Sequence, residues 1–144
     1  MKKIPLIALS LVIFISCSKD DPPKTQTCTT STASIAGNYK ITAVTYKATA
    51  TSAEVDYMTL LFPDACDRDN VYTFKTDGTY QIADAGQVCS PAGNDNGTWA
   101  LTGSNLQIDG DPVILESFDC KVLVVSNTDI DVTGDKLKLT FTRQ

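Results

Sequence analysis

Five cysteines, seventeen acidic side chains and no histidine set the chemistry open to this 144-residue chain. Without histidine, no side chain has an unperturbed pKa near neutrality with which to shuttle protons. No nucleophile motif of the acyl-transfer kind is present. Glu54 and Glu116 are the only glutamates, and nothing in the spacing sets two carboxylates across a cleft. The chain therefore reads as a non-enzyme without a cofactor. The cysteines stand at Cys17, Cys28, Cys66, Cys89 and Cys120, with no CxxC pair, which argues against a thiolate zinc site. Oxygen ligands are more plentiful. Asp64, Asp67, Asp69 and Asn70 form one group, and Asp109, Asp111, Asp129, Asp131 and Asp135 lie near other turns. Such loops suit calcium. However, Asp67-Arg68-Asp69-Asn70-Val71 lacks the glycine and distant glutamate of a helix-loop-helix calcium site, and Asp and Asn also form turns. No metal is expected.

The amino terminus carries a different chemistry. Met1-Lys2-Lys3 precedes an apolar run from Ile4 to Ile15, then Ser16 and Cys17. Residues 1–16 read as a signal peptide, since a run of twelve is short of the roughly 20 residues of a membrane-spanning helix. Phe14-Ile15-Ser16-Cys17 resembles the lipobox of bacterial lipoproteins, which implies that Cys17 is acylated and becomes the first residue after cleavage. The alternative is ordinary secretory cleavage at another bond. Ser18-Lys19-Asp20-Asp21-Pro22 resembles the export signal of surface lipoproteins in the Bacteroidota, which implies display on the cell surface; the periplasmic leaflet is the alternative.

Loss of residues 1–16 removes Lys2 and Lys3, leaving 10 basic against 17 acidic side chains, a charge of −7. An acidic surface repels nucleic acid and anionic headgroups, so membrane attachment is expected from the lipid on Cys17. Four cysteines remain for an oxidising compartment. Of their three pairings, Cys66 with Cys89 and Cys28 with Cys120 are favoured.

Residues 17–34 are polar and read as a disordered tether behind the acylated cysteine, leaving a single domain over 35–144. In that domain apolar and polar residues alternate with period two, which predicts strands at 39–47, 71–75, 79–83, 98–102, 106–108, 113–117, 122–126 and 136–143. Thr76-Asp77-Gly78 and Gly103-Ser104 supply hairpin turns. Eight short strands with mostly short connections predict an all-β, eight-stranded antiparallel up-and-down barrel, which leaves no sheet edge exposed. The exception is the connection over 48–70. This segment, which contains Tyr57-Met58-Thr59-Leu60-Leu61-Phe62-Pro63, is expected to form an extra strand or a lid across the barrel mouth, and a mouth lined by Tyr57, Leu60, Leu61 and Phe62 would favour ligand binding.

Three segments carry a family resemblance: Ile35-Ala36-Gly37-Asn38-Tyr39-Lys40-Ile41, the hairpin Val71-Tyr72-Thr73-Phe74-Lys75-Thr76-Asp77-Gly78-Thr79-Tyr80, and Gly97-Thr98-Trp99. With a last strand ending Thr140-Phe141-Thr142-Arg143, they resemble lipocalin-like domains of Bacteroidota lipoproteins. Tyr39 stands where lipocalins proper carry tryptophan, and the resemblance implies that Arg143 stacks on its ring. It also implies a calyx for a small hydrophobic ligand. The candidate interior is Tyr39, Ile41, Tyr72, Phe74, Tyr80, Ile82, Trp99, Leu101, Leu139 and Phe141, with Leu106, Ile108 and Leu137 on the same face. The competing expectation is a filled barrel acting as a surface interaction module for a protein or glycan.

Overall fold

The computed structural model describes residues 28–144. The signal peptide expected over 1–16, the acylation expected at Cys17 and the first part of the expected tether lie outside the described residues. Nine strands form one antiparallel sheet: β1 (Gly37–Lys47), β2 (Val55–Asp56), β3 (Val71–Phe74), β4 (Thr79–Ala83), β5 (Asp95–Thr102), β6 (Asn105–Ile108), β7 (Asp111–Phe118), β8 (Val122–Thr128) and β9 (Lys136–Arg143). Each strand pairs with its sequence neighbours, except that β2 pairs with β1 alone and β1 also pairs with β3. β9 returns to β1 from Tyr39↔Arg143 to Lys47↔Lys136. That last pairing closes an eight-stranded barrel of the predicted up-and-down kind. β2 is a ninth, two-residue strand set against Thr45 and Tyr46 of β1.

Strand direction divides the connections between two ends. The β3–β4, β5–β6 and β7–β8 turns gather at one end, and the β1–β3, β4–β5, β6–β7 and β8–β9 connections at the other. The first end is shut by a one-turn helix, α1 (Thr32–Ile35). Ser31 starts it with a reciprocal capping box to Ser34, which satisfies amides that a free helix end leaves unpaired. Ile35 is carried fully into the interior. Cys28 is bonded to Cys120 in the β7–β8 turn, so the chain before α1 is also held at this end. The tether boundary expected at residue 34 is thus corrected. Residues 28–34 belong to the folded unit, because a disulfide and a capped helix order them.

Two β-bulges shape the wall. Between Ile41 and Ala43 the β1–β9 register slips, which turns Val44 and Tyr46 inward where strict alternation would continue with Ala43 and Thr45. Val44 is buried as a result. A second slip lies between Leu115 and Ser117 in β7. Inside, Tyr39, Ile41, Val44, Phe74, Trp99, Leu106, Leu123, Val125 and Phe141 join Ile35 in one buried cluster. No helix among the described residues is long and apolar enough to cross a membrane.

Candidate functional site

The closed end is organised by Arg143. Its guanidinium lies 5.0 Å from the centroid of the Tyr39 ring, the stacking that the resemblance implied. It donates to Ala36 O at 3.1 Å and to Tyr39 Oη at 2.7 Å, and also to Ser34 O. These carbonyls are the ones a short helix leaves without partners at its C-terminus. Tyr39 in turn donates to Ile35 O at 2.7 Å, and burial raises its phenol pKa against the lowering effect of Arg143. The motif around Tyr39 follows from the same contact. A Cβ on Gly37 would stand 2.6 Å from Arg143 Nη1, so the guanidinium fits only because residue 37 has no side chain.

Above this floor lies a cavity of about 220 Å³. Seven of the ten candidate interior residues line it: Tyr72, Phe74, Tyr80, Ile82, Trp99, Leu139 and Phe141. The other three do not. Tyr39 belongs to the floor beneath, Ile41 is packed into the buried cluster, and Leu101 packs against that cluster from its edge. Leu106 and Ile108, placed on the same face, also line the cavity. Ile35, Val113, Leu123, Val125, Ser126 and Asn127 complete the wall. They were not among the candidates. β8 reads Val122-Leu123-Val124-Val125, an unbroken apolar run with no alternation to say which side faces in.

Phe74 stands at the centre of the aromatic wall. It meets Tyr39, Trp99 and Phe141 edge-on at centroid distances of 5.9, 5.5 and 6.2 Å, the arrangement favoured by ring quadrupoles. Trp99 keeps its indole N–H satisfied by donating to Lys75 O at 2.9 Å, across the β3–β4 turn. Tyr80 donates to Asp109 Oδ2 at 2.7 Å; burial, followed by that carboxylate, pushes its pKa up to about 12, so it stays a neutral phenol. Gly97 of the Gly97-Thr98-Trp99 motif is required here too, since a Cβ would stand 2.6 Å from the Tyr80 ring. Polar character in the wall is confined to Ser126, Asn127 and the two tyrosine hydroxyls. Ser126 Oγ donates to Glu116 at 2.5 Å, and Glu116 pairs with Lys136, which, with Ser126, holds its carboxyl below the usual range.

At the open end, the connection over 48–70 supplies the extra strand expected of it, β2. Tyr57, Leu60, Leu61 and Phe62 do not line the cavity. Met58–Leu61 forms a one-turn helix, α2, and a five-residue 3₁₀ turn follows at Ala65–Asp69. Tyr57, Met58 and Phe62 pack against the barrel cluster, whereas Leu60 is 69% exposed. Successive residues of a helical turn point in different directions, so the segment splits into a packed side and a solvent side. Two clamps hold this end. Cys66–Cys89 joins the β1–β3 and β4–β5 connections with Cα atoms 5.3 Å apart, which with Cys28–Cys120 gives both expected disulfides. In the β8–β9 connection, buried Asp135 accepts from the amides of Ile130, Asp131 and Val132 and from Tyr46 Oη.

The arrangement of a closed floor, an apolar interior and clamped connections at the opposite end is that of a container. Beside the wall, Asp109 is engaged by Tyr80, and Glu116 by Ser126 and Lys136. No curated protein matches the chain. The family described as "Lipocalin-like domain" matches residues 35–139, the span that begins with Ile35 on the floor and ends with Leu139 in the cavity wall. The chain belongs to the lipocalin-like domain family.

Proposed function

We propose that this protein is a lipid-anchored, non-catalytic binding module that holds a small apolar molecule at the bacterial outer envelope. The observation that carries the reading is the cavity, whose wall is aliphatic and aromatic apart from Ser126, Asn127 and two phenols. Its size narrows the ligand. At about 220 Å³ it exceeds the roughly 150 Å³ void that accepts benzene and falls below the roughly 300–1,000 Å³ of drug-sized sites. A single ring or a short acyl chain fits that volume, and a haem does not. The anchor is argued from Cys17 and the apolar run before it, and the surface location from Ser18-Lys19-Asp20-Asp21-Pro22, which resembles the Bacteroidota export signal.

Native mass spectrometry of residues 18–144, secreted to the periplasm and purified without detergent, tests the binding reading. A small adduct that is lost on denaturation and recovered by solvent extraction is expected. Protein that stays bare after exposure to single-ring aromatics and short fatty acids would overturn it. The anchor is tested separately. Cys17→Ala should leave the protein soluble, and a variant that still sediments with membranes while carrying no acyl mass would refute lipid attachment.

A second reading, a surface interaction module for a protein or glycan, draws on the open end. Val55, Leu60, Leu61, Val88, Ile130 and Val132 are exposed there, six of the seven large apolar side chains exposed among the described residues.

A further inference from the structure

Among the described residues, four buried side-chain atoms have no hydrogen-bond partner. One is Arg143 Nε; the others are Asp69 Oδ1, Asn70 Oδ1 and Asp84 Oδ1, three oxygens of one cluster. Buried acceptors are normally paired, and unpaired carboxylate oxygens are the costliest to leave so. Their orientation is set by neighbours. Asp69 Oδ2 accepts from Gln87 N at 2.9 Å, and Asp84 Oδ2 from Cys89 N at 3.0 Å and Gly93 N at 2.8 Å. Each carboxylate is thereby fixed through one oxygen and leaves the other free. Asn70 is 6% exposed, so its carbonyl has no recourse to solvent.

Strand register brings these groups together. Val71 pairs with Ala83, so one step further Asn70 faces Asp84 at the end of the β3–β4 ladder. Both share the phase of Tyr72 and Ile82, which line the cavity, and so lie on the inner side at the mouth. A Cβ placed on Gly93 would stand 3.7 Å from Asn70 Nδ2 and 3.9 Å from Asp84 Oδ2, so these two side chains lie close together under the β4–β5 connection. The Cys66–Cys89 bridge holds the two connections against each other beside it. Among the described residues, no salt bridge reaches the cluster. Arg68 donates to Phe62 O, and the salt bridges among the described residues, Lys136–Glu116 and Lys138–Glu54, lie elsewhere.

We propose that Asp69, Asn70 and Asp84 bind a hard divalent cation, calcium by the nature of the donors. Two carboxylates and an amide carbonyl make an all-oxygen set, and water supplies the rest of the roughly 6–8 ligands that calcium takes. Zinc is disfavoured, because the sulfurs of Cys66 and Cys89 beside Asp67 are spent on each other. The ion would tie the β1–β3 connection to the β4–β5 connection at the mouth. This site stands independently of what the cavity holds.

The test uses the full chain, stripped with EDTA and returned to calcium, magnesium or terbium. Calcium is expected to raise the melting temperature with a dissociation constant of about 10⁻⁴–10⁻³ M, the range of extracellular modules. Magnesium should do less at equal concentration, since it demands near-ideal octahedral geometry. Terbium should show emission sensitised by the nearby Tyr72. Asp84→Asn should weaken calcium at least tenfold and quench that emission, with Asp69→Asn giving the same result should Asp84→Asn not fold. Asp111→Asn, outside the cluster, should change neither. Absence of both responses in the parent protein, or responses unchanged in the cluster variants, overturns the site.

Discussion

Val125→Phe separates a true void from a packed core. Val125 sits in the middle of β8, opposite Leu115 on β7 and Leu139 on β9, with its side chain on the cavity. Residual cavity volume costs roughly 24 cal/mol per Å³, so about 220 Å³ corresponds to about 5 kcal/mol of forgone packing. A ligand that does no more than fill this space can therefore gain about 5 kcal/mol, a dissociation constant on the order of 10⁻⁴ M. Phenylalanine at 125 would place a ring in the same space. In a well-packed core that enlargement would cost roughly 1–3 kcal/mol; here the expected change in unfolding free energy is zero or a small gain. Binding should suffer instead, by at least tenfold, or about 1.4 kcal/mol. Urea unfolding with and without a single-ring aromatic reads both quantities. The parent protein should gain about 2.7 kcal/mol at a hundredfold excess over the dissociation constant, and the variant much less. A loss of 1–3 kcal/mol in the absence of ligand would show that no void exists at Val125. Equal stabilisation of both proteins by the aromatic would show that it binds elsewhere.

Three further outcomes follow from other parts of the molecule. Arg143→Met should cost roughly 2–4 kcal/mol, by loss of the ring contact and of charge-assisted bonds to the α1 carbonyls, and hydrogen exchange at Ile35 and Ala36 should accelerate. Lysine at 143 should not rescue it, because a point charge cannot serve the separate acceptors that the guanidinium fork reaches. Chain entropy ranks the disulfides by their separations of 92 and 23 residues, so removing Cys28–Cys120 should cost about 4.6 kcal/mol and removing Cys66–Cys89 about 3.4 kcal/mol. Urea unfolding of the paired Cys→Ser variants checks the order, and an inverted ranking would refute the unfolded-state argument. Asp135 provides the pH dependence. Burial pushes its carboxyl up, but the Asp131, Ile130 and Val132 amides and the Tyr46 hydroxyl outweigh this and hold it at about 2, below the ordinary 3.8. A carboxyl depressed on folding stabilises above its unfolded pKa, so this contribution should be intact at neutral pH and drain away as pH falls from near 3.8 through about 2. Asp135→Asn should flatten that part of the acid-unfolding profile, and an unchanged profile would refute the assignment.

What the sequence made legible was local. Tyr72 and Phe74, or Trp99 and Leu101, disclose their strands because alternation is a property of adjacent residues, and Asp77-Gly78 marks its turn by the conformations the two residues allow. Closure was legible for a related reason: residues that must be small or aromatic for one contact, Gly37 and Tyr39, sit in a fixed relation to Arg143 at the other end of the chain. The rest depended on register. A one-residue slip in β1 turned Val44 and Tyr46 inward, and Tyr46 thereby reached Asp135, 89 residues away. The tether boundary failed because Cys28 belongs to the fold through Cys120, a relation that the polar composition of 28–34 does not express.

The same distinction explains why the cavity was half found and why the proposed cation site was not among the candidates. Candidates on strands with clean alternation line the cavity, whereas β8, apolar on both faces, contributed Leu123 and Val125 unannounced. Asn70 and Asp84 lie fourteen residues apart, in what reads as two ordinary acidic turns. Only the Val71↔Ala83 pairing sets them face to face, and only burial converts their free oxygens from solvated turn formers into unmet ligands. The two sites are therefore adjacent for a structural reason. β3 and β4 carry Tyr72 and Ile82 into the apolar interior and, one inward step nearer the mouth, Asn70 and Asp84 into its rim. An apolar chamber beneath a fixed dication would favour ligands with one hydrophobic end and one anionic end, with the second end held at the mouth. Short fatty acids should then bind more tightly in calcium than in EDTA, and uncharged single-ring aromatics equally in both. Competition between the two ligand classes in each buffer measures this directly, and a calcium effect common to both classes would mean that the ion only stiffens the rim.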